Sequence, residues 1–326
     1  MELPTGVPQH PRDVDHLTSF HGLPVLDFPE ASSGLPLPDD PASVAWCVRV
    51  GTREEDEDAG AYWNRFLETM PLEEVRALLI GSPWYDFDSS AHRQIEDLVE
   101  LRHRFTGLEA LFLADVHFEE CEISWLEQGD VAPLLEAYPR LRELGIRGSN
   151  ELEFPVVRHE GLRTLRFESG GLPASVVRNV AASDLPSLEC LELWLGEPHY
   201  GCDTTVEDLG PLLTGERLPS LRHLGLQNSR FQDEIAAAVA QAPVVARLES
   251  LKLSMGVLSD EGAAALLGGQ PLSHLRYLDL HHHYLSDAMM LRLRDALEPA
   301  GVRVDLSDRC EEDEDEDDMR YVAVSE

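Results

Sequence analysis

Leucine recurs at fixed positions along most of the chain, and this pattern predicts the architecture. The phrase L-x-x-L-x-L, with occasional Ile or Phe at its last position, occurs seven times between residues 108 and 280. The copies begin at Leu108, Leu141, Leu162, Leu188, Leu221, Leu248 and Leu275. An apolar phrase that repeats every roughly 20–30 residues is typical of a solenoid, in which each repeat packs only on its neighbours.

Apolar residues spaced three or four apart lie between the phrases and predict helices there. Val206, Leu209 and Leu213 show this spacing, while Ser259 and Ser286 stand where helix N-caps are expected. Each repeat is therefore predicted to run strand, turn, helix and return loop. The predicted fold class is α/β, a horseshoe-shaped solenoid with a parallel β-sheet on its concave face and helices on its convex face.

Both ends of the array depart from the phrase. A degenerate copy begins at Val75, and a bare strand around Val304 closes the array. Terminal repeats of solenoids are atypical because they cap an exposed apolar end. We therefore predict a flexible, polar and proline-rich N-terminus (1–15), an N-terminal cap (16–74), the solenoid (75–308) and an acidic C-terminal tail (309–326).

The phrases GLEALFL, RLRELGI, SLECLEL and HLRYLDL resemble leucine-rich repeats. The stretch SDEGAAALL at 259–267 resembles the ribonuclease-inhibitor-like subclass, whose repeats carry a full α-helix. One departure concerns the ninth position of the repeat, which is usually Asn or Cys. That position holds Val116, Ser149, Gly170, Gly196, Ser229, Gly256 and His283. The missing asparagine ladder leaves the curvature of the horseshoe open.

A second resemblance rests on the sequence HLTSFHGLPVLDF at 16–28, which precedes the repeats. It resembles a family of uncharacterised bacterial leucine-rich-repeat proteins that is common in actinobacteria. Members of that family tend to be encoded beside radical-SAM and ATP-grasp enzymes. The resemblance therefore implies an alternative function, an accessory or substrate-presenting subunit of a neighbouring enzyme.

Charge and cysteine content narrow the classes of partner and compartment. The net charge of −35 argues against nucleic acid or an anionic membrane as a partner, because phosphate binding needs Lys and Arg. The five cysteines are odd in number and form no C-x-x-C motif, which fits a reducing compartment. The N-terminus lacks the pattern of a signal peptide, and a long apolar run is absent, so we expect a cytoplasmic protein.

The residues between the leucines of each phrase are predicted to face the concave side of the sheet. There, charged and small residues alternate with Phe112, Trp194 and Tyr277, which we expect to be exposed anchors for a partner. The predicted binding residues are Phe112, Arg147, Arg166, Glu192, Trp194, His223, Gln227, Lys252, Tyr277, Asp279 and His281. Ordinary variation of a solvent-facing surface is the alternative interpretation.

Two chemical alternatives involve residues of this face. His281 with Asp279 and His223 has the residue types of a metal site, although polar turn residues explain the three consecutive histidines more simply. Cys190 with His223 has those of a nucleophile and base. The sequence lacks G-x-S-x-G and the phosphate-binding loop motif. We therefore predict no catalytic residue, no metal and no cofactor.

The predicted function is that of a non-enzymatic scaffold that binds a protein or peptide on the concave sheet. The strongly acidic chain favours a basic partner. The acidic run 311–318 is typical of a solvated segment, although it could bind a basic partner or cover the concave face until a partner displaces it. Self-assembly is a third possibility, and the sequence leaves the oligomeric state open.

Overall fold

The strands form one continuous sheet in the order of the sequence. The structure, a computed structural model, describes residues 4–8, 10, 12–49, 57–81, 92–311 and 319–326. In these residues the sheet has 12 strands, of which β1 and β2 are antiparallel and all later neighbours are parallel. The strands are β1 (Ser19–Phe20), β2 (Leu23–Asp27), β3 (Ala45–Val48), β4 (Ala77–Gly81), β5 (Ala110–Asp115), β6 (Glu143–Arg147), β7 (Thr164–Glu168), β8 (Cys190–Gly196), β9 (His223–Ser229), β10 (Ser250–Lys252), β11 (Tyr277–Asp279) and β12 (Arg303–Asp305).

Helices connect most consecutive strands, and helices of neighbouring repeats pack against each other. They are α1 (Ala59–Thr69), α2 (His92–Glu100), α3 (Ala132–Ala137), α4 (Ala174–Ala182), α5 (Val206–Thr214), α6 (Gln232–Val239), α7 (Asp260–Gly268) and α8 (Asp287–Leu297). Residues 148–163, all of which are described, join β6 to β7 without a helix because this repeat is the shortest. The α/β leucine-rich-repeat solenoid predicted from the phrases is confirmed.

The leucines of the phrases build the core between the sheet and the helices. Leu111, Leu144, Leu165, Leu191 and Leu251 are each completely buried. The first four occupy matching positions on neighbouring strands, and Leu224 of β9 connects them to Leu251, so each repeat covers the apolar side of the next. Burial of one such side chain stabilises the fold by roughly 2 kcal/mol, which explains why the phrase recurs.

The turn after each strand is built without an asparagine ladder. Four residues at equivalent places have φ between 54° and 68°: Asn228 near the end of β9, and Met255, His282 and Asp308 beyond the ends of β10, β11 and β12. This left-handed conformation is uncommon for residues other than Gly and Asn, and it reverses the chain toward the helix. A different repeated contact joins the helix starts. The Asp233 carboxylate accepts hydrogen bonds from the backbone and hydroxyl of Ser259, and the Asp260 carboxylate accepts them in the same way from Ser286.

The sheet does not end at the predicted boundary at residue 75. Within the predicted cap, β2 pairs in parallel with β3, and β3 pairs in parallel with β4. On the concave side of these strands, Leu17 and Phe20 pack with Leu79 and Phe112 in a second, smaller core. The predicted cap and the predicted solenoid therefore share one sheet, and the boundary between them stays a prediction.

Candidate functional site

The predicted binding residues lie side by side on the concave face, but the structure buries them. Phe112 and Tyr277 are completely buried and Trp194 is 1% exposed, so the expected exposure of these three aromatic residues is wrong. The charged and amide candidates other than His223, which is half-buried, are buried as well. Whether these residues bind a partner stays a prediction.

The physical reason for this burial is that the chain covers its own concave face. The described residues of the N-terminal segment (4–18), namely 4–8, 10 and 12–18, lie across it, although a flexible terminus was predicted for 1–15. Arg12 Nη2 lies 2.6 Å from Asp305 Oδ2 and 3.1 Å from the Tyr277 hydroxyl. Farther along the segment, the Leu17 amide donates to Asp115 Oδ1 over 3.0 Å. The segment therefore connects the last strands of the sheet with β5.

A buried group of charges occupies the middle of the face. This central ion cluster consists of His10, Arg147, Arg166, Glu168, Glu192 and Lys252. Glu192 Oε1 lies 2.7 Å from Lys252 Nζ, and Glu192 Oε2 lies 2.7 Å from His10 Nδ1. Alternation along parallel strands puts these side chains on one side of the sheet, and adjacent strands bring them within reach of each other.

Glu168 holds the two arginines of the cluster. Arg147 Nε lies 2.8 Å from Glu168 Oε2, and Arg166 contacts the other carboxylate oxygen. Both guanidinium groups also lie over the Phe112 ring, with centroid distances of 5.4 and 5.6 Å. The ring has room because residue 145 is glycine: a Cβ there would lie 2.3 Å from Phe112 Cδ2.

The cluster fixes which of its groups are charged. Burial raises the pKa of Glu192, but His10, Lys252 and Arg166 outweigh it and hold that pKa well below its usual value. Burial, together with Arg166, lowers the pKa of His10 to about 4. At neutral pH the site therefore contains an ionised carboxylate beside a neutral imidazole.

A second charged group lies at the end of the face formed by β11 and β12. Besides its contact with Asp305, Arg12 Nη2 lies 3.8 Å from Asp279 Oδ2. Asp279 also contacts His281 Nδ1 over 2.7 Å. Burial alone raises the pKa of Asp305, but Arg12 and Ser307 outweigh it and lower that pKa below its ordinary value. Both carboxylates are nearly completely buried, so they need a cation beside them.

The metal alternative is not favoured by this arrangement. The described residues contain one group of three with metal-ligating atoms close together, and it is His10, Cys190 and Glu192, not the trio of His223, Asp279 and His281. Glu192 already contacts Lys252. The positive charge of Lys252, with that of Arg166 nearby, would oppose a metal cation at the same carboxylate.

The Cys190 thiol is similarly unsuited to nucleophilic chemistry. Burial, together with Glu192, raises the pKa of Cys190 well above its ordinary value, so the reactive thiolate is suppressed. His223, which lies opposite Cys190 in the neighbouring strand, directs its Nδ1 at Ser250 Oγ over 2.8 Å. The arrangement instead holds buried charged side chains in fixed positions through ion pairs.

Sequence reasoning missed His10 and Arg12. They are the first two positively ionisable side chains of a very acidic chain, separated by one proline. That spacing and the surrounding prolines are compatible with an extended segment, but nothing in them specifies what the segment covers.

Residues 319–326, the C-terminal segment, contact the turns that follow the strands. Asn228 Oδ1 accepts from the Val324 amide over 3.0 Å, and its Nδ2 donates to the carbonyl of the same residue. The Ala323 amide donates to the Met255 carbonyl over 2.8 Å. Most of the acidic run, residues 312–318, lies outside the described residues, so the interpretations of that run stay predictions.

Comparisons with known proteins identify a structural relative. No family profile and no curated protein matches the chain. A solved protein from Bacteroides fragilis is 33% identical, with a TM-score of 0.76, and the match covers 82% of this chain and 76% of that one. An internalin from Listeria monocytogenes matches 83% of this chain and 75% of its own at 15% identity, with a TM-score of 0.37 that is too low to carry an argument.

Proposed function

The chain belongs to the same family as the Bacteroides fragilis protein, and on that premise we propose that it is a non-enzymatic scaffold that binds a protein or peptide on its concave sheet. We also propose, on the resemblances in the sequence, that the repeats belong to the ribonuclease-inhibitor-like subclass and that the chain is related to the actinobacterial family. The described residues contain no helix that is long and apolar enough to span a membrane. A cytoplasmic location is likewise proposed.

The observation that carries the proposal is that the concave sheet already holds a polypeptide segment. The segment belongs to the chain itself, and its basic residue Arg12 lies against Asp305 and Asp279. A surface that accommodates one extended segment between paired charges has the shape and chemistry to accommodate another. The carboxylates at the β11–β12 end favour a cationic partner, in agreement with the net charge of −35.

The enzymatic alternative has less support. The buried thiol of Cys190 is held in its protonated form, and Lys252 occupies the carboxylate that would otherwise ligate a metal. The accessory role beside a neighbouring enzyme is compatible with scaffold function, since the partner would then be that enzyme or its product. No contact within the described residues favours it over other protein partners.

A peptide array tests the proposal. The full chain is applied to synthetic 12-residue peptides of equal hydrophobicity that differ in net charge and in arginine content. We expect arginine-containing basic peptides to be retained, and Asp305→Asn to reduce that retention at least tenfold because the buried cation then loses the nearer of its two carboxylates. Retention of acidic peptides to the same extent, or of no peptide, would refute the proposal.

Glu160→Gln is the matched control, since Glu160 is an exposed carboxylate whose contact is with Arg158 on the surface. It removes the same charge from the chain without touching the concave face. Equal losses for Asp305→Asn and Glu160→Gln would show that retention depends on overall charge alone.

A further inference from the structure

We infer that the N-terminal segment is an internal ligand of the concave face, and that a partner enters by replacing it with an extended segment of the same chemistry, His-x-Arg. This inference rests on the proposed function and specifies it further. It names the class of partner and states what must leave before that partner binds.

The way in which the segment is attached supports displacement. Among its described residues, Pro4 to Asp15 form no strand pairing with the sheet, and the concave face is contacted mainly by side chains. His10 contacts Glu192, and Arg12 contacts Asp305. By contrast, strands β3 to β11 are hydrogen-bonded to a neighbouring strand along both edges, and β12 along one edge. The part of the segment up to Arg12 is held mainly by such side-chain contacts, so it opens at lower free energy than a strand of the sheet, whereas Val14 and Leu17 are buried and keep the following part attached.

The chemistry of the concave face also supports a face that is covered at some times and exposed to water at others. A permanently buried surface is more stable with well-packed apolar residues than with ion pairs, because burying charges costs solvation free energy. This face nevertheless carries Arg166, Glu192 and Lys252, each 5% exposed or less. When the part of the segment up to Arg12 leaves, water can solvate these charged groups, while Leu17 still covers the apolar cluster around Leu79 and Phe112.

The residues of the segment define what can replace it. Departure of Arg12 leaves Asp279 and Asp305 without their shared cation, and departure of His10 leaves one oxygen of Glu192 without its imidazole. A replacing segment therefore needs a guanidinium at one end and a neutral hydrogen-bonding ring about two residues before it. The Tyr277 hydroxyl, 3.1 Å from both Arg12 Nη2 and Asp305 Oδ2, favours the planar guanidinium over an ammonium group.

Binding in trans tests this inference on the full chain. A fluorescent synthetic peptide with the sequence of residues 4–18 is titrated into the wild-type chain and into the Arg12→Ala chain, and fluorescence anisotropy is recorded. The Arg12→Ala chain should bind the peptide at least tenfold more tightly than the wild type, because its own segment no longer competes well. A peptide that carries alanine in place of its arginine should bind at least tenfold more weakly.

Matched variants keep the result interpretable. Arg292→Ala removes an exposed arginine from α8 and should leave peptide binding at the wild-type level. If Arg12→Ala loses its circular dichroism signal, His10→Ala replaces it, since this change also weakens the segment without removing an acceptor for Arg12. Equal peptide affinity in the wild type and in a folded segment variant would overturn the inference and show that the segment is a fixed part of the fold.

The result is separable from that of the peptide array. Binding of the 4–18 peptide without retention of any other basic peptide would support the internal ligand and refute the broader partner class. Retention of basic peptides by a chain whose segment variants bind no better than wild type would refute the internal ligand and leave the scaffold proposal standing.

Discussion

Phe112 and Gly145 illustrate how single residues set the floor of the concave face. The phrase pattern predicted correctly that both lie on this side of the sheet, because side chains alternate along a strand. It did not predict burial, which depends on a segment more than ninety residues away in sequence. Periodicity specifies which side of a strand a residue occupies, but it does not specify what covers that side.

Gly145→Ala should destabilise the fold. The new Cβ would lie 2.3 Å from Phe112 Cδ2, so the ring that supports Arg147 and Arg166 would have to move. We expect a loss of about 1–3 kcal/mol in the free energy of unfolding, measured by urea denaturation. Gly268→Ala at the end of α7, where nothing lies within 4 Å, should change it by less than about 0.5 kcal/mol. Equal effects would contradict the packing described for Phe112.

His16 should make stability depend on pH. Burial alone lowers its pKa, but the carboxylates of Asp115 and Glu120, with which His16 forms ion pairs, raise the pKa of His16 to about 9. A pKa raised above the unfolded value of about 6.5 stabilises the fold fully below pH 6.5, and this stabilisation is lost as pH rises through 9.

Between pH 7 and pH 9 the wild type should therefore lose about 2 kcal/mol of stability that His16→Gln does not lose. Urea denaturation at both pH values measures this difference. His199→Gln, a change at an exposed histidine, should follow the wild type. Parallel pH profiles for wild type and His16→Gln would rule out the assigned contacts.

At the scale of elements, the leucine phrases predicted the spacing of the strands, but they predicted only some of the helices between them. The short repeat between Leu141 and Leu162 has no room for a helix, and the structure shows none there. The extension of the parallel sheet into β2 and β3 was not predictable, because these strands lack the leucine phrase. The period-two alternation of Val44, Trp46 and Val48 predicts a strand at β3, but it does not specify that β3 pairs with β4.

The attachment of the C-terminal segment depends on Asn228. Asn228→Ala removes both side-chain hydrogen bonds to Val324 and puts alanine at a φ of 55°. We expect a loss of about 2–3 kcal/mol in the free energy of unfolding and faster amide hydrogen exchange at Ala323. Asn64→Ala, on the exposed side of α1, is the control and should change neither quantity. Unchanged exchange at Ala323 would exclude this attachment.

At the scale of the whole molecule, the two terminal segments add contacts between parts of the chain that are far apart in sequence. A solenoid repeat ordinarily contacts only adjacent repeats. Here Arg12 joins β12, and Leu17 joins β5, so strands far apart in the sheet share one segment. The sequence could not predict this, since the proline-rich N-terminus has no periodic pattern and its few charges match several acidic sites.

Arg12 lies on the concave face against Asp305, and the occupied state of that face depends on this contact. A double-mutant cycle tests it most directly: the free energies of unfolding of wild type, Arg12→Ala, Asp305→Asn and the double variant are measured by urea denaturation. Because the Arg12 side chain is 39% exposed, solvent screening limits the expected coupling to about 1 kcal/mol. A coupling of that size supports an occupied concave face, whereas strictly additive effects would contradict it.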